Sequence, residues 1–281
     1  MAWRAERAIV LGGGGVTGIA WEIGYLAGLA DAGVDVTRAE LLVGTSAGAT
    51  AAVQITSGYP LEDVWRRQLE IRVTPRPAPT FDFDEFVETM RRLGQDPDAS
   101  ALRRELGQQA SNAPIALSAP ERRAMMARRL LAHAWPSTEL ALVAVDADSG
   151  KPHVFSNDSG VPLIDAVTAS SALPGIYPPA QIGDHHYMDG ALRSMENADM
   201  AAGCARVLVL QALALPGVDT LETQVRTLRD AQARVHIAQP DADSLAAMGL
   251  EMLDPAACAA TARAGHAQGH REASELAELW N

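Results

Sequence analysis

Cysteine is scarce in this chain of 281 residues, and long apolar runs are missing. Cys204 and Cys258 are the two cysteines, and they form neither a metal-binding spacing nor a disulfide framework, which indicates a reducing compartment. No run approaches the ~20 apolar residues that a membrane-spanning helix requires. The apolar stretch that follows Arg4 and Arg7, residues 8–11, is too short for the core of a signal peptide. We therefore expect a soluble, cytoplasmic protein.

Positive charge is also in short supply. The chain has 23 basic and 35 acidic residues, a net charge of −12, and Lys151 is its only lysine. This balance argues against a nucleic-acid partner, which selects for basic surfaces. It also argues against docking on anionic lipid by charge alone, so any contact with a membrane surface is expected to be transient. The histidines and cysteines lack ligand spacing, so neither a metal nor a cofactor is expected.

A run of four glycines, residues 12–15, follows a first apolar strand at 7–11 and precedes a helix. Glycines in this position allow backbone N–H groups to point at an anion. The run fits an oxyanion hole for acyl transfer, or a dinucleotide-binding loop, since Gly13, Gly15 and Gly18 match G-x-G-x-x-G. A dinucleotide-binding fold needs an acidic residue at the end of its second strand, and none is present there. A nucleotide-binding protein without hydrolase activity remains the alternative.

The second apolar strand, residues 41–43, leads into Gly44-Thr45-Ser46-Ala47-Gly48 and then into helix-compatible sequence. This G-x-S-x-G layout places Ser46 on a tight strand-to-helix turn with its hydroxyl exposed, as in a nucleophile elbow. The start of the following helix adds a positive dipole end, which favours a developing negative charge. Ser46 is therefore the candidate nucleophile.

A serine nucleophile needs a base. In an α/β-hydrolase-like Ser-His-Asp esterase that base is a histidine that follows the serine and the acid in the chain. None of the candidate histidines lies in a sharp glycine-rich loop at a strand end, and a single strand precedes the elbow, unlike in that fold. The candidates are His133, His153, His185, His186, His236, His266 and His270. Asp189, at the end of a short strand and followed by Gly190, could instead take the proton directly, although Asp-Gly is also a common turn.

Alternating strands and helices predict a parallel sheet covered by helices. Residues 60–135 are predicted to be helical, and because strands resume at 140–146 we interpret them as an insertion into a single domain that spans 1–281. Hairpins are predicted at 140–155 and 180–188, and helices from 254 to 281.

Four motifs coincide in order: GGGVTG at 13–18, GTSAG at 44–48, ASSALPGIYPP at 169–179 and DGA at 189–191. Over roughly residues 7–211 the chain thereby resembles the patatin-like phospholipase family. The resemblance implies a three-layer α/β/α fold with a mostly parallel central sheet. It also implies a lipid acyl hydrolase of the phospholipase, lysophospholipase or carboxylesterase type, with a Ser–Asp dyad and no catalytic histidine. By position, Ser46 is the nucleophile, Asp189 the base, and Gly13, Gly14 and Gly15 line the oxyanion hole.

One residue departs from the family pattern. Thr17 stands where the family usually has arginine or lysine, so we expect a small-headed or neutral ester, or a lysolipid, as the substrate. Met125, Met126 and Leu130 in the helical insertion are candidates for contact with the acyl chain, although plain core packing is the simpler explanation for them. A carboxylate base with an ordinary pKa predicts a rate that rises at low pH and stays flat near neutrality. Head group, chain length and oligomeric state are left open.

Overall fold

The computed structural model describes residues 5–71, 81–96, 98–112 and 117–280. Within these residues the strands are β1 (Arg7–Leu11), β2 (Leu41–Thr45), β3 (Glu139–Asp146), β4 (Pro152–Phe155), β5 (Ala180–Ile182), β6 (His185–Asp189), β7 (Arg206–Leu210) and β8 (Arg234–Ala238). The helices are α1 (Gly15–Asp31), α2 (Ala47–Ile55), α3 (Leu61–Leu69), α4 (Phe83–Gln95), α5 (Ser100–Asn112), α6 (Ala119–Arg129), α7 (Leu163–Ser170), α8 (Thr220–Asp230), α9 (Ala242–Met248) and α10 (Cys258–Trp280).

All these strands belong to one sheet with the order β5-β6-β3-β2-β1-β7-β8, and β4 pairs with β3 outside this path. The strands from β3 through β2, β1 and β7 to β8 are parallel, whereas β4, β5 and β6 pair in antiparallel fashion. The carboxyl ends of β1 and β2 therefore meet at one edge of the sheet, where the glycine loop and the Ser46 turn begin. The predicted mostly parallel sheet and both predicted hairpins are confirmed.

Helices cover both faces of the sheet. In β1, Ile9 and Leu11 face a core shared with α1, α2, α7 and α10, whereas Ala8 and Val10 face a second core shared with α8. Both faces are buried because a parallel strand is covered on each side, and this explains the continuous apolar sequence of β1. The three-layer α/β/α architecture is thereby confirmed.

The helical insertion comprises α3 to α6. Helix α4 packs against the sheet end near β6 through Phe86 and Met90, and α6 contributes Met126 to the core beside α7. A capping box precedes α6, since the Ser118 N–H donates to Glu121 at 2.9 Å. Helix α9 was not predicted: it has only 7 residues, too few for a periodic pattern. The last helix, predicted from residue 254, begins at Cys258 after a turn.

Helices α1 and α10 pack backbone against backbone. A side chain at Gly28 would place its Cβ 2.0 Å from the carbonyl oxygen of His266, so only glycine permits this approach. Polar contacts secure the pair: the Trp21 indole N–H donates to Gln268 at 3.0 Å, and the Tyr25 hydroxyl donates to Glu272 at 2.7 Å. Across the described ranges, no helix combines the length and the apolar character needed to cross a bilayer.

Candidate active site

Ser46 occupies the turn between β2 and α2. Its backbone angles are φ 56° and ψ −110°, a region that residues other than glycine rarely adopt. The turn is pressed against β1, because the Gly48 N–H donates to the Gly12 carbonyl at 2.9 Å and a Cβ on Gly48 would lie 2.0 Å from the Leu11 carbonyl oxygen. Thus the close approach of elbow and strand β1 requires the second glycine of G-x-S-x-G.

The Ser46 hydroxyl donates a hydrogen bond of 2.7 Å to Oδ2 of Asp189, although the two residues are 143 positions apart. Strand register produces this meeting. Thr45 pairs with Val143 of β3, and Ala144, the next residue of β3, pairs with Asp189 of the antiparallel strand β6. Ser46 and Asp189 therefore lie at the same level on either side of Ala144.

The C-terminal end of α7 and the residues after it hold both members of this pair. The Ser170 hydroxyl accepts from the Ser46 N–H at 3.1 Å, and the Ala172 carbonyl accepts from the Asp189 N–H at 3.0 Å. Asp189 is further fixed by the Ala191 N–H, which donates to its Oδ1 at 2.9 Å. This network gives a physical role to the ASSALPG segment, which the sequence marks as a motif without assigning its residues.

Asn197 is a buried supporting residue that sequence reasoning missed. It adopts a left-handed conformation with φ 56°, and its side-chain amide donates to Thr45 Oγ1 at 3.0 Å and to the Gly190 carbonyl at 3.3 Å. It thereby connects the residue before the candidate nucleophile to the residue after the candidate base. No motif of the sequence marks Asn197, since its link to Thr45, 152 positions away, is brought about by the tertiary structure.

Burial governs the charge state of Asp189, which is 1% exposed. Loss of hydration raises its pKa to about 7, against the opposing effects of the Ala191 N–H, the Ser46 hydroxyl and the positive charge of Arg122. The carboxyl group is therefore largely protonated in acid and becomes an ionised acceptor for the serine proton as the pH rises through neutrality.

Some backbone N–H groups of the glycine loop donate hydrogen bonds within the protein, and others do not. The Gly13 N–H donates to the Met195 carbonyl at 2.8 Å. The Met252 carbonyl accepts from Val16 at 2.9 Å and from Thr17 at 3.3 Å. Gly14 and Gly15 lie between Gly13 and Val16. Their N–H groups have no hydrogen-bond acceptor among the described residues. Both glycines line the same pocket as Ser46, so their N–H groups are the candidate donors to an anion there.

A pocket of about 60 Å³ opens above Ser46 and Asp189. Its wall is largely apolar, with two arginines, Arg122 and Arg129, both from α6. Two grooves adjoin it: one of about 290 Å³ shares Phe86 and Leu173, and one of about 450 Å³ shares Val16, Ile19 and Arg129. The apolar part of the pocket wall includes Val16, Ile19, Phe86, Leu173, Met195 and Leu253.

The acyl-contact candidates of the helical insertion divide into two groups. Met126 and Leu130 are buried in the main core and do not line the pocket, so the suggestion that they contact substrate is wrong. Met125 lines the groove of about 450 Å³, where a chain leaving the pocket past Val16 would pass. The helical period separates these neighbours, because adjacent residues point about 100° apart around the helix.

None of the seven histidines lines the pocket. His185 contacts Asp146 at 3.0 Å, His266 contacts Asp31 at 2.9 Å, and His153 packs between Phe155 and Tyr187. These are structural contacts away from Ser46. In the part of the chain that the structure describes, no three His, Cys, Asp or Glu side chains cluster as metal ligands would.

Comparisons with known proteins identify the family of this chain. The model of the patatin-like phospholipase family matches residues 9–202. The fold is similar to VipD from Legionella pneumophila, with a TM-score of 0.48, 13% identity, and coverage of 98% of this chain and 67% of VipD. It is also similar to the type III effector ExoU, with a TM-score of 0.38, 16% identity and 97% of this chain covered. The chain spans about half of ExoU, 54% of its length.

No curated protein matches the sequence. The family match nevertheless contains the glycine loop, the Ser46 turn, the α7 segment and Asp189, which are the parts that converge on the pocket. On this evidence the chain belongs to the patatin-like phospholipase family.

Proposed function

We propose that this protein is a serine-dependent lipid acyl hydrolase in which Ser46 and Asp189 form a catalytic dyad. Membership in the patatin-like phospholipase family supports lipid acyl hydrolysis as the class of activity. The observation that carries the finer proposal is the 2.7 Å hydrogen bond from the Ser46 hydroxyl to Asp189, at the base of a pocket that no histidine lines. A serine with a base within hydrogen-bond reach is the usual signature of nucleophilic acyl transfer.

In the proposed reaction Asp189 accepts the Ser46 proton while Ser46 Oγ attacks the ester carbonyl. The negative charge that develops on the carbonyl oxygen is stabilised by the free N–H groups of Gly14 and Gly15. Gly13, the third predicted member of the oxyanion hole, shapes the loop instead, since its N–H is bonded to Met195. The alcohol leaves with the proton held by Asp189. Water then attacks the acyl-enzyme with Asp189 again as the base.

The surroundings of the dyad support a substrate with an apolar chain. The pocket of about 60 Å³ holds the reacting ester but no long chain, whereas the adjoining groove of about 450 Å³ offers Ile71, Met125 and Leu131 as apolar contacts. A fatty acyl chain that passes Val16 and Ile19 would enter this groove. The second groove, which shares Phe86 and Leu173, would then receive part of the alcohol.

A fluorophosphonate probe tests the nucleophile. We expect the probe to label the protein on Ser46, and Ser46→Ala to abolish labelling and to reduce hydrolysis of medium-chain p-nitrophenyl esters by a factor approaching the ~10⁶ lost when a triad serine is removed. Ser57→Ala is a matched control, because Ser57 lies beyond the end of α2 and bonds only to the Gln54 carbonyl. Full activity in folded Ser46→Ala would refute the proposal.

The absence of histidine from the pocket gives a second test. Single His→Gln substitutions at each of the seven histidines should leave labelling and hydrolysis largely intact, because none contacts the dyad. A histidine variant as inactive as Ser46→Ala would instead revive the Ser-His-Asp alternative.

A further inference from the structure

Arg122 is a buried cation in the wall of the pocket. It is 3% exposed and lines the pocket together with Ser46 and Asp189. Such placement is expensive for a charged side chain unless an anion compensates it. In the described part of the chain, however, no carboxylate lies within 4.0 Å of its guanidinium. The local contacts therefore do not explain why a charged side chain occupies this buried position.

Only one corner of the guanidinium is satisfied. Nη2 donates to the Ser171 carbonyl at 3.1 Å and to the Ser171 hydroxyl at 2.9 Å. The guanidinium also lies 3.6 Å above the ring of Tyr177. Nε and Nη1 are buried and have no acceptor among the described residues. The stacking and the Ser171 bonds fix the orientation of Arg122, so these two donors are held in place before any ligand arrives.

The unpaired donors have the chemistry of an anion site. The Nε–H and Nη1–H bonds point to different edges of the planar guanidinium, so each can give one charge-assisted hydrogen bond to an oxygen of a phosphate or a carboxylate. Arg129, two turns further along α6 and lining the same pocket, adds a second positive charge. Because the donors are already stripped of water, an anionic oxygen that reached them would gain more than it would at an exposed arginine.

We propose that Arg122 is a specificity-determining residue that binds an anionic group of the substrate, a phosphate or a carboxylate close to the scissile ester. This inference rests on the proposed function, since it assigns the substrate class of the same pocket. Among the substrates expected from Thr17, a small-headed or neutral ester or a lysolipid, this inference disfavours the neutral ester. The positive charge comes from helix α6 rather than from the glycine loop.

The test compares matched substrates at pH 8, with acyl chains short enough to remain monomeric. One pair is octanoyl lysophosphatidate and octanoylglycerol, which differ by the phosphate. The other pair is the p-nitrophenyl half-ester of glutaric acid and p-nitrophenyl pentanoate, which differ by the carboxylate. The measured quantity is the ratio of kcat/KM for the anionic member to that for the neutral member of each pair.

We expect the wild type to prefer the anionic member of one pair, and that pair identifies phosphate or carboxylate as the ligand. For that substrate pair, Arg122→Gln should lower the ratio of kcat/KM values by about 10- to 100-fold, as expected for the loss of charge-assisted hydrogen bonds. Arg122→Lys keeps the charge without the fixed Nε and Nη1 donors and should recover part of the preference. Arg123→Gln is the matched control: it removes an equal charge from the same helix, but Arg123 pairs with Asp165 outside the pocket wall.

Two outcomes would overturn the inference. One is an equal loss on both members of each pair with a pH profile displaced upward, which would make Arg122 only the counter-charge of Asp189. The other is a wild type that shows no preference for either anion. If Arg122→Gln has a lower Tm than the wild type, Arg122→Lys is compared with the wild type instead, by the same ratio of kcat/KM values. Failure of the underlying function is separately visible, because the wild type would then not be labelled at Ser46 by the fluorophosphonate.

Discussion

Asp189→Asn should make the protein more stable at alkaline pH while removing its activity. The substitution preserves shape and hydrogen bonding: the amide oxygen can accept from the Ala191 N–H, and the amide nitrogen can donate to Ser46 Oγ in place of the present bonds. The charge, however, disappears from a site that is 1% exposed. The variant therefore isolates the energetic effect of ionising this buried carboxyl group.

The magnitude follows from the pKa of Asp189, which changes from about 7 in the folded protein to the ordinary 3.8 on unfolding. Because the folded-state pKa is the higher one, the stabilising contribution is present below pH 3.8 and is lost as the pH rises towards 7. Between pH 5 and pH 8 the wild type should lose about 2.5 kcal/mol that Asp189→Asn keeps. For a protein of this size that corresponds to about 5 °C in Tm.

Thermal melting of both proteins at pH 5 and pH 8 measures the effect. Two other buried carboxyl groups with raised pKa values, Glu22 and Glu196, occur in both proteins, so their contributions cancel. Asp184→Asn, in the exposed turn between β5 and β6, is the control, because it removes the same charge from a hydrated site. The reasoning fails if the Tm difference between Asp189→Asn and wild type is the same at both pH values. It also fails if the variant hydrolyses esters normally.

Two further predictions concern the rate. Because burial raises the pKa of Asp189 to about 7, kcat/KM for a neutral ester should rise through neutrality and level off above about pH 8, so a flat profile from pH 5 upward would contradict the assigned base. Ser170→Ala removes the acceptor of the Ser46 N–H and should lower kcat by about 3- to 10-fold, the equivalent of one neutral hydrogen bond. Unchanged kcat in that variant would show that the strained turn holds Ser46 without Ser170.

The pH prediction corrects one drawn from sequence alone. An ordinary carboxylate base implies a rate that is flat near neutrality, but the burial of Asp189 shifts its ionisation close to the value of about 6.5 typical of histidine. The pH profile therefore cannot distinguish a Ser–Asp dyad from a Ser–His pair. Substitution of the individual residues is needed instead. Burial of a particular carboxyl group depends on packing by distant segments, and a local sequence pattern does not contain this information.

Local patterns predicted the elements that carry the site. The apolar strands before Gly12 and Gly44 identify the glycine loop and the elbow, and adjacent parallel strands bring their ends together. The turn residues at 148–150 and 183–184 predicted both hairpins. These features depend on short-range backbone preferences, which are determined by neighbouring residues in the sequence.

Contacts across the fold could not be predicted in the same way. The approach of Asp189 to Ser46 depends on the register of β6 on β3, and the engagement of the Gly13 N–H depends on Met195. Arg122 lies on an amphipathic helix with several other arginines, and nothing in the sequence separates it from its exposed neighbour Arg123. Only packing shows which of these arginines faces the pocket.

The environment of the glycine loop also bears on how this fold can be divided or recombined. The family match ends at residue 202, yet β7 pairs with β1, and the Leu210 carbonyl accepts from the Gly12 N–H at 3.1 Å. The Met252 carbonyl accepts from the Val16 and Thr17 N–H groups in the first turn of α1. A fragment limited to 9–202 would leave β1 paired with β2 alone and turn it into an edge strand, which is prone to aggregation, and would open the loop to water. A fusion or domain exchange that preserves the site must therefore carry the chain through α10.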